Sequence, residues 1–171
     1  TTTVISFGSL LKPIEFFFTV IDDIYTDFYY KVHKMIEETK KKITEDLISS
    51  FEEAGNISLK LREQGLKQEI KKDNTPVTNG DIEVNKLITS KIEKITPGIK
   101  IVSEESSANK SNENLKTFWL IDPIDGTYDY INNRDEFTIN AGLIINNKPE
   151  IGIIYAPAKK RLFYSYHEGK S

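Results

Sequence analysis

The sequence contains no cysteine and only two histidines, His33 and His167, and both scarcities limit its chemistry. Without cysteine the chain forms no disulfide, no thiolate zinc site and no thiol nucleophile. Two histidines also make a multi-histidine metal site or a Ser-His-Asp triad hard to assemble. A metal centre in this chain is therefore expected to use oxygen ligands, which favours Mg²⁺.

The chain also lacks a strong charge excess, a long apolar run and a secretory signal. Its net charge of −3 over 171 residues gives no general affinity for nucleic acid. The aromatic residues 16 to 18 are soon followed by Asp22, Asp23 and Asp27, well short of the ~20 apolar residues of a membrane span. The chain begins at Thr1 without a basic leader, so a cytoplasmic location is expected, with peripheral membrane association as an alternative.

Three stretches show the helical spacing of apolar residues. Residues 13 to 42 predict a packed helix, with a partner-binding or membrane-surface helix as alternatives. A second helix is expected over residues 44 to 66, and a third follows the turn-rich loop of residues 71 to 81. Asp81 lies at the start of the third helix, where it is either an N-cap or a catalytic group.

Strand-forming runs fill the rest of the chain. They predict a short strand, a buried strand and then an antiparallel meander of three strands. These runs lie at residues 99 to 102, 118 to 121, 137 to 145, 151 to 155 and 162 to 166. The expected fold class is α+β, a layered sandwich in which two long helices pack on an antiparallel sheet.

Two aspartates end the predicted buried strand. Pro123 is expected to stop the strand between Asp122 and Asp125, and Gly126 permits a close approach of the backbone to a ligand. Carboxylates so close repel each other unless a cation or a proton lies between them. A divalent cation, Mg²⁺, is the simplest resolution.

Further polar groups follow the neighbouring predicted elements. If Glu104 meets Asp122 and Asp125 at the carboxyl ends of adjacent strands, the three could hold one or two Mg²⁺ ions. Thr127 could share its hydroxyl with an acid such as Asp81 and orient a water for attack on a phosphate monoester. The N–H groups of residues 126 and 127, at the start of a short helix, could bind phosphate oxygens.

These residues form three motifs that together resemble the inositol monophosphatase superfamily, whose members are Mg²⁺-dependent and typically lithium-sensitive phosphatases. The motifs are residues 122 to 127, residues 103 to 105, and residues 76 to 78 followed by Asp81. Within the superfamily, residues 74 to 78, 136 to 140 and 155 to 157 look most like the bacterial 3′(2′),5′-bisphosphate nucleotidase branch. The resemblance implies a small-molecule phosphate ester as substrate, adenosine 3′,5′-bisphosphate, which is converted to AMP.

The resemblance also implies a role for each matching position. The implied metal ligands are Glu104, Asp122, the backbone carbonyl of Ile124, and Asp125. Asp81 and Thr127 resemble the pair that activates the attacking water, and Lys72 resembles a lysine of the upstream loop. The implied substrate-binding positions are Glu104, Ile124, Asp125, Gly126 and Thr127.

The resemblance covers residues 44 to 171 and implies the N-terminal α+β part of a sugar-phosphatase fold. Residues 1 to 43 match nothing in the family and are expected to form an extra helical segment. Family members continue into a C-terminal α/β region with a further metal-binding aspartate in a Trp-Asp motif, which this chain lacks. A missing C-terminal half or a homo-oligomer is therefore expected to complete the site. Two alternatives are an inositol monophosphatase and a non-catalytic fragment that binds metal and phosphate.

Overall fold

The computed structural model describes residues 8–71, 73–106 and 115–166, with side chains from residue 26 onward. The chain forms two compact units, Thr1–Thr39 and Lys40–Ser171. Every sequence motif discussed above lies in the second unit. The fold of that unit therefore decides how the candidate site is arranged.

Helix α1 spans Gly8–Gln64 as one continuous helix of 57 residues. The expectation of two helices, divided near residue 43, is wrong. Thr44 does not cap a new helix, because its hydroxyl donates a hydrogen bond to the Lys40 carbonyl at 2.9 Å. No proline or glycine lies between residues 14 and 54, so nothing in the sequence stops the helix at that point.

The part of α1 in the first unit exposes large apolar side chains. Phe28 is 64% exposed, Tyr29 66% and Met35 61%. The packed face predicted from the apolar spacing is therefore not buried along these described side chains. Among the helices of the described residues, none is long and apolar enough to cross a membrane.

A short hairpin and a second long helix follow α1. Strand β1, Gln68–Ile70, pairs antiparallel with β2, Pro76–Thr78, although the composition predicts a loop there. The loop predicted for residues 71 to 81 is wrong at Pro76–Thr78, because a strand of three residues is too short to show an alternating pattern. Between them, Asp73 Oδ1 accepts hydrogen bonds from the Thr75 N–H at 3.1 Å and hydroxyl at 2.6 Å. Helix α2, Asn79–Ile95, begins directly after β2.

Five strands form the main sheet in the spatial order β3-β4-β5-β6-β7. Strands β3 and β4 are parallel, and the other neighbouring pairs are antiparallel. The predicted meander is confirmed, whereas the sheet as a whole is mixed and not purely antiparallel. The bounds are β3 Lys100–Ser103, β4 Phe118–Asp125, helix α3 Thr127–Ile131, β5 Thr138–Ile145, β6 Lys148–Ala156, a 3₁₀ turn Pro157–Lys159 and β7 Arg161–Ser165.

Strand β4 does not stop at Pro123, contrary to the sequence expectation. It continues to Asp125, and its pairing with β5 shifts register between Asp122 and Asp125. Proline is tolerated at such an irregularity because the ladder does not need its missing N–H there. Both acids are thus part of the sheet. Asp122 lies opposite Asn140, and Asp125 lies opposite Thr138.

One apolar cluster joins α1 and α2 to the sheet. Its helical members include Leu47 and Phe51 on α1 and Ile88 on α2, and all three are fully buried. Trp119 of β4 is also fully buried, and its indole N–H donates to the Thr96 hydroxyl at 3.0 Å. Because helices and sheet share this cluster, the α+β fold class predicted from the sequence is confirmed.

Gly80, near the start of α2, is expected to resist replacement by alanine. A Cβ atom there would overlap the side chain of Tyr130, whose hydroxyl is tied to the Ser58 carbonyl at 2.6 Å. The Gly80→Ala variant should lose about 1–3 kcal/mol of unfolding free energy, the usual cost of overpacking a buried position. Urea unfolding measures the loss.

Gly152→Ala is the matched control, since nothing lies within 4 Å of a Cβ added there. Its unfolding midpoint should stay close to that of the unchanged protein. Equal midpoints for Gly80→Ala and Gly152→Ala would show that the space beside Tyr130 does not restrict position 80.

Candidate active site

The ends of β3 and β4 bring the predicted acids together. These strands are parallel, so their carboxyl ends meet at the same edge of the sheet. Ser103 lies opposite Ile121, and the N–H of Glu104 donates to the Ile121 carbonyl at 3.1 Å. Glu104 therefore emerges beside Asp122, as the sequence predicts. The Ser103 hydroxyl also donates to Asn85 Oδ1 of α2 at 2.7 Å, which anchors this strand end.

Asp122 is the most perturbed carboxyl group of this edge. Burial raises its pKa from about 3.8 to about 7, and the charges of Glu104, Asp125 and Asp81 add to the effect. Among these charges that of Glu104 has the largest effect, and a pKa of about 7 means that Asp122 carries a proton below neutral pH. Asp122 Oδ1 is buried and has no hydrogen-bond partner. The carboxyl groups at this edge therefore carry more negative charge than the neighbouring positive groups neutralise.

Asp81 and Thr127 also meet, although 46 positions separate them in the chain. The Thr127 hydroxyl lies 3.2 Å from Asp81 Oδ1. Asp81 Oδ2 accepts hydrogen bonds from the N–H of Thr78 at 2.8 Å and from its hydroxyl at 2.6 Å. Burial raises the pKa of Asp81 despite these hydrogen bonds.

The two interpretations of Asp81 offered by the sequence are compatible. The residue takes part in a capping box with Thr78 at the start of α2, while its second oxygen faces Thr127. The cap fixes the carboxylate, and Thr127 gives it a neighbour that carries a proton. The bonds that start the helix thus also fix the carboxylate that faces Thr127.

The end of β4 and the turn after it place Ile124 and Gly126 beside these groups. The Ile124 carbonyl accepts the Thr127 hydroxyl at 3.0 Å, so this backbone oxygen faces the site. Gly126 has a φ of +93°, and a Cβ there would lie 2.7 Å from the Glu136 carbonyl oxygen. Only glycine fits this position, because both the conformation and the contact exclude a side chain.

Lys71 is a residue of the site that sequence reasoning missed. Its Nζ lies 3.0 Å from Glu104 Oε1 and 2.8 Å from Glu105 Oε1. Burial alone would lower the pKa of Lys71, but the hydrogen bonds with Glu105 and Glu104 outweigh it and raise the pKa. Lys72, the lysine proposed from the motif, lies outside the described residues. Two adjacent lysines in a turn-rich stretch of sequence gave no local signal for choosing between them.

The donor chemistry of this edge fits a hard divalent cation. In the described residues, no three Asp, Glu or His side chains are already grouped to hold a metal ion. However, Asp122 Oδ1 is a buried acceptor without a hydrogen-bond partner, and the raised pKa of Asp122 favours a proton on that carboxyl group. A cation would satisfy Asp122 Oδ1 and replace this proton, which is the behaviour expected of a carboxylate-lined Mg²⁺ site.

Comparison with known proteins identifies the family. The model of the inositol monophosphatase family matches residues 29–171 of this chain. The chain belongs to the inositol monophosphatase family. The family predicted from the three motifs is therefore confirmed.

Curated relatives of the inositol monophosphatase family that match this chain include bisphosphate nucleotidases. The 3′(2′),5′-bisphosphate nucleotidase CysQ of Haemophilus influenzae is 38% identical over 99 residues, which are 57% of this chain and 37% of that protein. The CysQ of Buchnera aphidicola is 34% identical over 131 residues, 75% of this chain and 49% of that protein. This chain thus spans less than half the length of these two relatives.

Solved structures of the family share the fold. The Thermotoga maritima IMPase aligns with a TM-score of 0.63 and 27% identity, over 72% of this chain and 47% of that one. An IMPase/NADP phosphatase complexed with Mg²⁺ and phosphate aligns with a TM-score of 0.67 and 21% identity, over 77% of this chain and 50% of that one. The layered α+β architecture is therefore that of the inositol monophosphatases.

The raised pKa of Asp122 predicts how pH affects the metal-free protein. A carboxyl group whose pKa is about 7 when folded and about 3.9 when unfolded favours folding most while it is protonated. Its stabilising contribution is complete below pH ~4 and is lost as the pH rises through ~7. In the presence of EDTA, the urea midpoint should therefore be higher at pH 5 than at pH 8.

The Asp122→Asn variant should show a flatter dependence of the urea midpoint on pH. Some slope should persist, because burial also raises the pKa values of Asp81 and Glu105. Asp46→Asn, an exposed change on α1, is the control and should retain the original pH profile. Superimposable profiles for Asp122→Asn and the unchanged protein would contradict the assignment of the effect to Asp122.

Proposed function

We propose that this chain supplies the metal-binding and water-activating part of a Mg²⁺-dependent phosphomonoesterase that removes the 3′-phosphate of adenosine 3′,5′-bisphosphate. The observation that carries the proposal is the group of acids at the ends of β3 and β4 beside the Asp81 and Thr127 pair. Membership of the inositol monophosphatase family supports the reaction class. The relatives named as 3′(2′),5′-bisphosphate nucleotidases support the substrate.

The proposed metal ligands are the side chains of Glu104, Asp122 and Asp125 and the carbonyl of Ile124. All are hard oxygen donors, and the buried Oδ1 of Asp122 has no other partner. When bound, Mg²⁺ supplies positive charge that lowers the pKa of a water and stabilises the negative charge of the phosphate. Glu104, Asp122 and Asp125 form an acidic edge whose strands hold the ligands in place, and Asp122 gives up the proton that its raised pKa favours.

Asp81 and Thr127 are proposed to receive the proton of the attacking water. The single proton of the Thr127 hydroxyl has two acceptors, Asp81 Oδ1 at 3.2 Å and the Ile124 carbonyl at 3.0 Å. When this proton points toward Asp81, the Ile124 carbonyl is available to a cation. The oxygen of the Thr127 hydroxyl is then available to accept a hydrogen bond from a water. The raised pKa of Asp81 makes its carboxylate a stronger base than an ordinary aspartate.

The start of α3 is proposed to hold the phosphate. The first N–H groups of a helix have no partner within the helix, so Gly126 and Thr127 can donate to phosphate oxygens. The absence of a side chain at Gly126 lets the backbone approach the ligand. Attack of water on phosphorus then breaks the bond to the 3′ oxygen and releases AMP and inorganic phosphate.

Two alternatives have specific support. Inositol monophosphatase activity is favoured by the fold shared with the Thermotoga maritima IMPase. A non-catalytic role, in which the chain binds metal and phosphate without turnover, is favoured by its short span relative to the CysQ proteins. Both alternatives use the same acidic edge and differ in what that edge does to a substrate.

Phosphate release by the 171-residue chain with Mg²⁺ separates these functions. The proposal expects release from adenosine 3′,5′-bisphosphate at least about tenfold faster than from inositol 1-phosphate, a difference of about 1.4 kcal/mol in transition-state binding. A higher rate with inositol 1-phosphate would favour the inositol monophosphatase assignment. Binding of Mg²⁺ and phosphate without release would support the non-catalytic role.

The Asp122→Asn variant should lose Mg²⁺-dependent phosphate release by at least about a hundredfold, because a ligand of the catalytic cation contributes several kcal/mol. Steady-state rates at saturating Mg²⁺ measure the loss. The Asp46→Asn control changes the same functional group on the exposed surface of α1 and should keep full activity. Unchanged turnover in Asp122→Asn would sink the assignment of the acidic edge as the catalytic centre.

A further inference from the structure

Asn140 of β5 lies against two of the candidate metal ligands, yet neither the motifs nor the proposed reaction gives it a role. It is directly opposite Asp122 in the ladder between β4 and β5. Its Nδ2 donates a hydrogen bond to Asp125 Oδ2 at 3.1 Å. Its Oδ1 is buried and has no hydrogen-bond partner. The Asn140 amide thus binds Asp125 through Nδ2, while its Oδ1 is left without a hydrogen-bond donor.

Chemistry fixes which end of the Asn140 amide faces Asp125. An ionised carboxylate only accepts hydrogen bonds, so the NH₂ group must point to it and the carbonyl oxygen must point away. The unsatisfied Oδ1 is therefore a consequence of holding Asp125. A buried acceptor without a partner destabilises the fold, so this arrangement is unfavourable unless another group satisfies the oxygen.

Asp122 presents a second buried oxygen without a partner, on the residue opposite Asn140. Directly opposed side chains of an antiparallel pair share one face, with Cβ atoms about 4.5–5.5 Å apart. Two acceptors cannot satisfy each other. A cation, or a water bound to it, can satisfy both at once, and a carbonyl oxygen beside carboxylates is a usual member of a hard-cation site.

We propose that Asn140 is a positioning residue of the metal site, whose amide orients Asp125 and whose Oδ1 joins Asp122 Oδ1 in lining the cation. This inference rests on the proposed function, because it takes the acidic edge to be a metal site. It adds a role for β5, which none of the three sequence motifs reaches. The proposed role also accounts for the amide side chain of Asn140 in the middle of the otherwise mainly apolar strand β5.

Titration of the 171-residue chain with Mn²⁺ tests the role of Asn140 directly. The decrease in the EPR signal of free Mn²⁺ measures the binding affinity. Asn140→Ala and the nearly isosteric Asn140→Leu both remove the donor and the acceptor. Each should weaken Mn²⁺ binding by about 10- to 100-fold, the usual cost of losing a group that orients metal ligands. Asn56→Ala, an exposed change on α1, should leave the affinity unchanged.

Urea unfolding with EDTA separates positioning from a merely structural role. Removing Asn140 also removes an unsatisfied buried oxygen, so the metal-free midpoints of both variants should stay near that of the unchanged chain. Large losses of metal-free stability in both variants would assign Asn140 to the fold and overturn the inference. Normal Mn²⁺ affinity in both variants would overturn it as well, while leaving the proposed metal site intact.

Failure of the unchanged chain to bind Mn²⁺ has a different meaning. It would remove the metal site on which the proposed function depends, and the role of Asn140 with it. Binding that Asp122→Asn abolishes, but that Asn140→Ala and Asn140→Leu leave intact, would reject only the role of Asn140. A failure of the Asn140 role alone is therefore distinguishable from a failure of the proposed function.

Discussion

Repulsion among carboxylates at one edge of the sheet is the constraint on which the site depends. Glu104, Asp122 and Asp125 are gathered there, and Asp81 is close enough to add to the pKa shift of Asp122. In the metal-free protein this charge is offset by the proton that the raised pKa of Asp122 favours and by the Lys71 ammonium. Such a site is stable only with positive charge at hand, so proton and cation binding must be coupled.

Strand pairing, side-chain burial and a helix cap hold these mutually repelling acids together. The parallel pairing of β3 with β4 sets Glu104 beside Asp122, and the fully buried Trp119 anchors β4 beneath them. The register shift at Pro123 keeps Asp125 within the sheet. The capping box at the start of α2 fixes Asp81 through backbone hydrogen bonds. Asp81, Asp122 and Asp125 thus lie in regular elements, and Glu104, in the turn after β3, is tied to β4 by its N–H group.

Much of this arrangement could be predicted from the sequence, because the decisive signals were local. An apolar run that ends in Asp122 and Asp125 indicates acids at a strand end, and the meander follows from its strand-forming runs. The irregular pairing that carries β4 past Pro123 could not be predicted, since it depends on the partner strand β5. Lys71 and Asn140 were missed for the same reason. Their partners lie 15 to 34 residues away, and only the fold brings them together.

The contacts of Lys71 suggest how the site changes when a cation arrives. Its ammonium bridges Glu104 and Glu105, and Glu105 is the more buried of the two partners. A cation that takes Glu104 would leave Lys71 paired with Glu105, because that pair is shorter and better shielded from water. The lysine then need not leave the site for the metal to enter. Lys71 and Glu105 would act as a fixed pair behind the ligands, while the proton of Asp122 would be the positive charge that is released.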